Sequence, residues 1–185
     1  ELVGETARFP DAHATEEALV LLYQEITGEG EDASIYVSVQ TSKTGRSWTA
    51  HRRVIGPIPL RREPAPVVFA SNVAPNGDIY VVVAESATTT RVYRSENTGE
   101  SFSEVAALST EVTSVSPRLF VTSDGGLLLY VNQNIDRAQS ILFSRSAGGD
   151  DWSEFEPLVR DDALVFNFLP DHVSYQGRDY VVFQS

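Results

Sequence analysis

Short apolar runs alternate with polar turns along the chain, and no stretch has the i, i+3, i+4, i+7 spacing of a long amphipathic helix. Four of these runs have the length and composition of buried strands: residues 18–23, 79–84, 127–131 and 180–183. Turns such as Asp124-Gly125-Gly126 favour hairpins, because glycine tolerates the positive φ angles of tight turns. The pattern predicts an all-β chain in which residues 12–19 belong to a hairpin rather than a helix.

The strand-like runs recur in a unit of about fifty residues. In three places a proline precedes an aromatic residue by 13 positions: Pro10 and Tyr23, Pro117 and Tyr130, Pro170 and Phe183. We expect these aromatics to occupy one position of the repeat and to pack in the core. A second set of aromatics follows the glycine-containing turns at spacings of 54 and then 50 residues: Trp48, Phe102 and Trp152.

Each complete unit contains four strand-like runs, the last of them at residues 49–54, 103–107 and 154–159. Four strands in a unit of this length match one blade of a β-propeller. We expect a single partial propeller over residues 1–185, with about three and a half blades of four antiparallel strands: 8–56, 57–110, 111–162 and the partial blade 163–185. An open blade edge exposes unpaired strand groups, so closure is expected from the rest of a longer chain or from a second copy.

The turn before each last strand resembles the Asp box, Ser-x-Asp-x-Gly-x-Thr-Trp, of sialidases and related repeat proteins. Residues that match the box in the three units are Ser95, Asn97, Gly99 and Phe102, then Thr41, Gly45 and Trp48, then Gly149 and Trp152. Lys43 and Ala147 stand at the Asp position, and Arg145 stands at a Ser position. The resemblance implies a sialidase-like Asp-box (BNR) β-propeller whose boxes are structural and lie away from the active site.

The start of the chain also resembles sialidases, because Arg8-Phe9-Pro10 stands where that family has Arg-Ile-Pro. The resemblance implies that Arg8 binds a sugar carboxylate, and that Asp32 or Glu31 is the catalytic acid. It also points to Glu25, at the end of an apolar run, and to Arg118, which follows Pro117, as ligand-binding residues. Thr27 stands where the family has an arginine, and the remaining arginines and the nucleophile belong to blades that these residues do not supply.

Blade topology brings the start of each innermost strand to the end of the propeller where ligands bind. The residues expected at that end include Arg8, Asp11, Arg118, Asp171 and His172. The acidic run from Gly28 to Asp32 reads as a flexible loop, because its spacing matches no calcium-binding pattern.

The composition narrows the classes of partner. The chain has 185 residues, 14 basic and 26 acidic side chains and a net charge of −12, which argues against nucleic acid and anionic membrane surfaces as partners. No apolar run has the length of a membrane span, so no membrane insertion is expected. Cysteine is absent and His13, His51 and His172 have no ligand spacing, so neither a metal nor a cofactor is predicted. The expected location is extracytoplasmic, either secreted or periplasmic.

Three functions remain open at this point. The chain could be a non-catalytic or remnant sialidase-like propeller segment that binds a glycan or protein at the channel mouth. It could be the N-terminal half of an exo-sialidase-type glycoside hydrolase, or a structural assembly module. The degenerate boxes and Thr27 favour the first, and we expect no catalysis from these 185 residues alone.

Overall fold

The computed structural model describes residues 7–60, 68–110, 114–135, 138–158 and 168–184. The first blade contains β1 (Ala7–Ala14), β2 (Leu19–Thr27), β3 (Ser34–Ser42) and β4 (Arg52–Pro59), and a short 3-10 helix (Gly30–Asp32) precedes β3. The second contains β5 (Phe69–Val73), β6 (Ile79–Ala84), β7 (Thr89–Ser95) and β8 (Ser103–Ser109). The third contains β9 (Ser114–Val121), β10 (Leu127–Ile135), β11 (Ala138–Ser146) and β12 (Glu156–Pro157). A hairpin of β13 (Phe168–Tyr175) and β14 (Arg178–Gln184) follows.

Neighbouring strands in each sheet are consecutive and antiparallel, which gives three four-stranded blades and a two-stranded half-blade among the described residues. The prediction of an all-β, partial propeller is therefore confirmed, and residues 12–19 belong to the β1–β2 hairpin, with residues 15–18 as its turn. The strands β1, β5, β9 and β13 are the innermost of their sheets and contact one another in that order. The last strands differ from expectation, since β4 begins at Arg52 and β12 has only two residues.

The core consists of apolar layers between successive blades. Because side chains alternate along a strand, β6 faces two different blades. Its residues Ile79, Val81 and Val83 pack against the first blade. Its residues Tyr80 and Val82 pack against the third blade. All five side chains are at most 3% exposed, so the middle blade is buried on both faces.

An aromatic cluster joins the third blade to the hairpin. The ring of Phe120 lies 5.7 Å from that of Tyr130 and 5.3 Å from that of His172, and Tyr130 also contacts Phe143. Burial, with a smaller contribution from the charge of Asp179, raises the pKa of Tyr130 to about 12. The hairpin is therefore seated on the third blade as a further blade would be.

The equal spacing of 13 residues after proline does not place the aromatics at one repeat position. Leu22 pairs with Asp11, whereas Tyr130 pairs with Arg118, so Tyr130 corresponds to Leu22 and not to Tyr23. Tyr23 and Tyr130 thus lie on opposite faces of their blades, although both are at most 2% exposed. Phe183 is 37% exposed, so the prediction of core packing is wrong for that residue.

The outer face of the hairpin carries uncovered apolar side chains. Val173, Tyr175, Tyr180 and Val182 are 45–63% exposed. Val182 pairs with Asp171 as Leu22 pairs with Asp11, yet Leu22 is completely buried against the second blade. Among residues 7–60, 68–110, 114–135, 138–158 and 168–184, no sheet covers this face of the hairpin.

The turns before β4, β8 and β12 share a buried serine. The hydroxyl of Ser42 accepts a bond from the N–H of Gly45 at 2.9 Å, and Ser95 does the same for Gly99 at 2.9 Å. Ser146 accepts from the N–H of Gly149 at 2.7 Å. The serines at the first and third turns are therefore Ser42 and Ser146, whereas the sequence alignment placed Thr41 and Arg145 there. These two turns are one residue shorter than the second turn, and that difference shifted the alignment.

The glycines of these turns have φ angles of 72° (Gly45), 83° (Gly99) and 86° (Gly149), a region that favours glycine. Gly149 also lies against the preceding blade, since a Cβ atom there would overlap the Tyr80 ring. In the second turn, Asn97 Oδ1 accepts from the N–H of Ser101. The aromatic residues Phe102 and Trp152 pack on the layers that join the blades, while Trp48 is half-buried and joins neither layer.

We predict that Leu22→Ala lowers the free energy of unfolding by about 2–5 kcal/mol, because it leaves a cavity between blades. The equivalent change on the hairpin, Val182→Ala, is expected to alter it by less than about 0.5 kcal/mol, because that side chain is exposed. Urea denaturation of both variants checks this. A loss of several kcal/mol with Val182→Ala would mean that the outer face of the hairpin is covered in solution.

A second prediction separates the two neighbouring candidates in the first turn. Ser42→Ala is expected to cost about 1 kcal/mol, because the N–H groups of Thr44 and Gly45 lose the hydroxyl that accepts from them. Thr41→Ala should cost less than about 0.5 kcal/mol, because Thr41 is partly exposed and its hydroxyl meets only Thr49 at 3.5 Å. Thermal and urea unfolding of the two variants measure the difference, and equal losses would contradict the assignment of the turn to Ser42.

Candidate functional site

Three of the four innermost strands, β1, β9 and β13, share a bulge at a proline of the repeat. Two residues, ending in Pro10, Pro117 or Pro170, face a single residue of the next strand. Proline has no N–H to donate to the ladder, which makes a bulge the suitable place for it. The residues before the first two prolines, Phe9 and Ser116, have φ angles of 52° and 54°. The residue that follows the bulge is Asp11 in β1 and Arg118 in β9. These two residues therefore occupy equivalent positions in the first and third blades.

A cleft of about 650 Å³ lies along these strands. Its volume falls within the range of about 300–1,000 Å³ that is usual for small-molecule sites. It has an aromatic and aliphatic wall and a small number of polar side chains. The residues that line it are Phe9, Pro10, Asp11, His13, Phe69, Ala70, Ser71, Asn72, Arg118, Leu119 and Phe120.

One wall of the cleft is a hydrogen-bonded group that links the first two blades. Asp11 Oδ2 accepts from the Ser71 hydroxyl at 2.6 Å and from the Ser71 N–H at 3.2 Å. His13 Nε2 lies 2.8 Å from the same hydroxyl. Because the only hydroxyl hydrogen of Ser71 goes to Asp11, His13 Nε2 must carry a hydrogen and donate to Ser71 Oγ.

The direction of this hydrogen bond determines whether Ser71 could act as a nucleophile. A nucleophilic serine gives its proton to an imidazole nitrogen with a free lone pair. Here the nearby nitrogen, His13 Nε2, is a donor, and Ser71 is only 5% exposed. The three residues therefore hold the carboxylate of Asp11 in place and do not form a nucleophilic triad.

The group also sets the charge of Asp11. Burial acts to raise its pKa, but the hydrogen bonds from His13 and Ser71 outweigh it and hold the pKa below the ordinary 3.8. Asp11 is therefore ionised at neutral pH. Its side chain remains 38% exposed, so the carboxylate is fixed at one oxygen and open towards the cleft.

Arg118 is the only lysine or arginine among the described residues that line the cleft. It is half-buried, and no described residue places a carboxylate within ion-pair distance of it. Its neighbour across the strand pair is Tyr130. Arg118 thus lines the cleft, and its predicted role as a ligand-binding residue at the channel stays a prediction.

Glu25 occupies a different place. Ser38 Oγ donates to its Oε2 at 2.9 Å, and Arg53 binds it at both oxygens, with Nη2 at 2.6 Å from Oε1. The bonds from Arg53, opposed by burial and helped by Ser38, lower the pKa of Glu25. Arg53 also stacks over the Tyr36 ring at 4.6 Å. This ion pair belongs to the face of the first blade turned away from the second, and Glu25 does not line the cleft.

The other predicted site residues also lie outside the cleft. Arg8 is exposed on β1, and Asp32 is exposed at the end of the short 3-10 helix that also contains Glu31. Asp171 is exposed and accepts from the N–H of His172. The His172 side chain is only 3% exposed and contacts Phe120, which makes it part of the aromatic cluster.

No group of three or more His, Asp or Glu residues within the described ranges is arranged to hold a metal ion. None of the described residues forms a helix long and apolar enough to cross a membrane.

Sequence reasoning placed Asp11 near the channel but did not select it, and it missed His13 and Ser71 altogether. A signal for Asp11 was present, since it follows Pro10 as Arg118 follows Pro117. Ser71 carries no such signal, because it meets Asp11 only when the blades stack, across 60 residues of chain.

The lowered pKa of Asp11 predicts a pH-dependent stability. Its ionised form stabilises the folded state above the unfolded-state pKa, and this contribution disappears as the pH falls below about 4. Between about pH 7 and pH 3, wild-type protein should therefore lose more free energy of unfolding than Asp11→Asn does. Urea denaturation across this pH range measures the difference, with Asp151→Asn, an exposed carboxylate outside the cleft, as the control. Parallel losses in wild type and Asp11→Asn would contradict the assignment.

Comparison with known proteins shows similarity in fold only. No protein-family model matches the chain. No curated protein matches it either. Among solved structures, an α-L-arabinanase of Penicillium chrysogenum complexed with arabinobiose is 14% identical with a TM-score of 0.69, over 98% of this chain and 58% of that one.

Two further structures are similar. A Hadza microbial sialidase is 17% identical with a TM-score of 0.60, over 82% of this chain and 37% of that one. A family 117 glycoside hydrolase of Zobellia galactanivorans is 12% identical with a TM-score of 0.59, over 97% of this chain and 66% of that one. This chain thus spans 58% and 37% of the arabinanase and sialidase chains. Its fold is that of a partial β-propeller similar to those of glycoside hydrolases, sialidases among them.

Proposed function

We propose that this chain is a non-catalytic, sialidase-like propeller segment that binds a glycan in the cleft along its innermost strands. The observation that carries the proposal is the lining of that cleft, where apolar rings stand beside one open carboxylate and one arginine without a described partner. Saccharides combine apolar ring faces with hydroxyl groups that both donate and accept hydrogen bonds. Phe9 and Phe120 offer the first kind of contact, and Asp11 and Arg118 offer the second.

The similarity to glycoside hydrolase structures supports a glycan rather than another small molecule. The arabinanase structure contains arabinobiose, which is a saccharide of a size that this cleft could hold. At identities of 12–17% the similarity extends to the fold alone, so the class of ligand rests mainly on the chemistry of the cleft. An extracytoplasmic location, where free glycans occur, is part of this proposal.

Binding without hydrolysis follows from the number of carboxylates. Most glycoside hydrolases use a pair of carboxyl groups about 5–10 Å apart, one as acid and one as nucleophile or base. Among the described residues that line the cleft, Asp11 is the only carboxylate. Neither Glu25 nor Asp32 reaches it, and Ser71 donates its proton to Asp11 instead of to an imidazole.

The test is retention of the protein on an immobilised oligosaccharide array, followed by incubation of the bound glycans and analysis for cleavage products. We expect retention with no cleavage, and about a tenfold loss of affinity for Arg118→Ala, because a hydrogen bond to a charged group is removed. Arg46→Ala is the matched control, since Arg46 is exposed and lies outside the cleft.

Two results would count against the proposal. Release of shortened glycans by the wild-type chain would show that it is catalytic. Equal loss of binding in Arg118→Ala and Arg46→Ala would place the site outside the cleft.

A further inference from the structure

The described residues that line the cleft carry one negative and one positive charge. Among them, Asp11 and Arg118 are the only Asp, Glu, Lys or Arg residues, and His13 is the remaining titratable group. His13 Nε2 is occupied as a donor to Ser71 Oγ. This described lining therefore has no net charge when His13 is neutral, although the chain as a whole carries −12.

Among the described residues, hydrogen-bond donors meet only one oxygen of the Asp11 carboxylate. Its Oδ2 accepts both bonds from Ser71 and lies 3.5 Å from His13 Nε2. Within the described part of the chain, no group donates to its Oδ1. Because Ser71 holds the carboxylate in one orientation, Oδ1 is a fixed acceptor of hydrogen bonds beside the cleft.

Arg118 supplies the complementary groups. A guanidinium has five N–H donors and no acceptor, and none of those of Arg118 is bound to a carboxylate among the described residues. A ligand between Asp11 and Arg118 must therefore donate to the first and accept from the second. Hydroxyl groups do both, whereas a carboxylate only accepts.

An acidic sugar is disfavoured for a second reason. Its carboxylate would approach the ionised Asp11, within a molecule whose net charge of −12 already repels anions. One arginine has to offset both effects, whereas the sialidase resemblance implies Arg8 and further arginines around a sugar carboxylate. Arg8, the residue that this resemblance favours, does not line the cleft.

We infer that the cleft takes a neutral saccharide, whose hydroxyl groups donate to Asp11 Oδ1 and accept from Arg118. Its apolar ring face lies against Phe9, which is 40% exposed at the cleft, and against Phe120. This inference rests on the proposed function, because it names the class of glycan that the same site binds. It departs from the acidic sugars that the sequence resemblance implies.

The test compares neutral probes (arabinobiose, xylobiose and lactose) with acidic probes (3′-sialyllactose and digalacturonate) by calorimetric titration of the full chain. We expect binding of at least one neutral probe and none of the acidic ones. Affinity should change less than about twofold between low and physiological salt, because no net charge pairing is involved.

The sign of the effect of Asp11→Asn separates the two ligand classes. For a neutral saccharide, Asp11→Asn and Arg118→Gln should each weaken binding by about tenfold, because each removes a charged partner of a hydroxyl group. For an acidic saccharide, Asp11→Asn should strengthen binding by removing repulsion, while Arg118→Gln weakens it. Asp151→Asn, outside the cleft, is the control, and thermal unfolding verifies that each variant is folded.

Each outcome decides between the two claims. Neutral binding that both variants weaken supports the inference. Binding of only an acidic probe, strengthened by Asp11→Asn, overturns the inference and leaves the proposed glycan-binding function standing. Failure of every probe to bind, on the array and in titration, overturns the proposed function and this inference with it.

Discussion

The structure depends on the apolar layers between successive blades. A blade strand such as β6 sends alternate side chains into two different apolar layers, so neither face can be left in water without a large cost. The blades therefore stabilise each other by stacking, as repeats do in other quasi-periodic proteins. The hairpin of β13 and β14 shows the consequence, because its inner face is buried on the aromatic cluster while Val182 and its neighbours remain exposed.

Stacking also creates the site. The innermost strands lie close together because the layers between blades hold them there. Asp11 and Arg118 follow the proline bulges at equivalent positions of two blades, and both line the cleft. Ser71, from the next blade, donates a hydrogen bond to the Asp11 carboxylate, so the orientation of this carboxylate depends on the contact between two blades. The blades share one backbone arrangement, and the chemistry of the cleft comes from equivalent positions that carry different side chains. These are an aspartate in the first blade and an arginine in the third.

The turns with buried serines illustrate a second use of the repeat. Each serine holds the glycine of its turn, and the second and third turns also lie against the preceding blade, through Gly99 beside Val39 and Gly149 beside Tyr80. The same motif thus closes a blade locally and adds to the layer between blades. The ion pair of Glu25 and Arg53 has a comparable structural role on the first blade, since a carboxylate so fully bonded has little capacity left for a ligand.

The sequence by itself determined the fold class, because alternation of apolar runs, glycine turns and a period of about fifty residues are local properties that only four-stranded blades satisfy together. It also indicated that Arg118 belongs to the channel, because the residue follows a proline of the repeat. The register within each unit was decided only by the tertiary structure. Because the first turn is one residue shorter than the second, its buried serine is Ser42, whereas the motif had been matched at Thr41. Because the β1–β2 and β9–β10 hairpins differ in length, Tyr23 and Tyr130 lie on opposite faces of their blades. Residue spacing along the chain does not reveal these differences in turn and hairpin length, because the pairing between strands determines which face of the sheet a side chain occupies. The partnership of Asp11, His13 and Ser71 likewise exists only once two blades are stacked, because it joins residues far apart in the chain through contacts that no local pattern encodes.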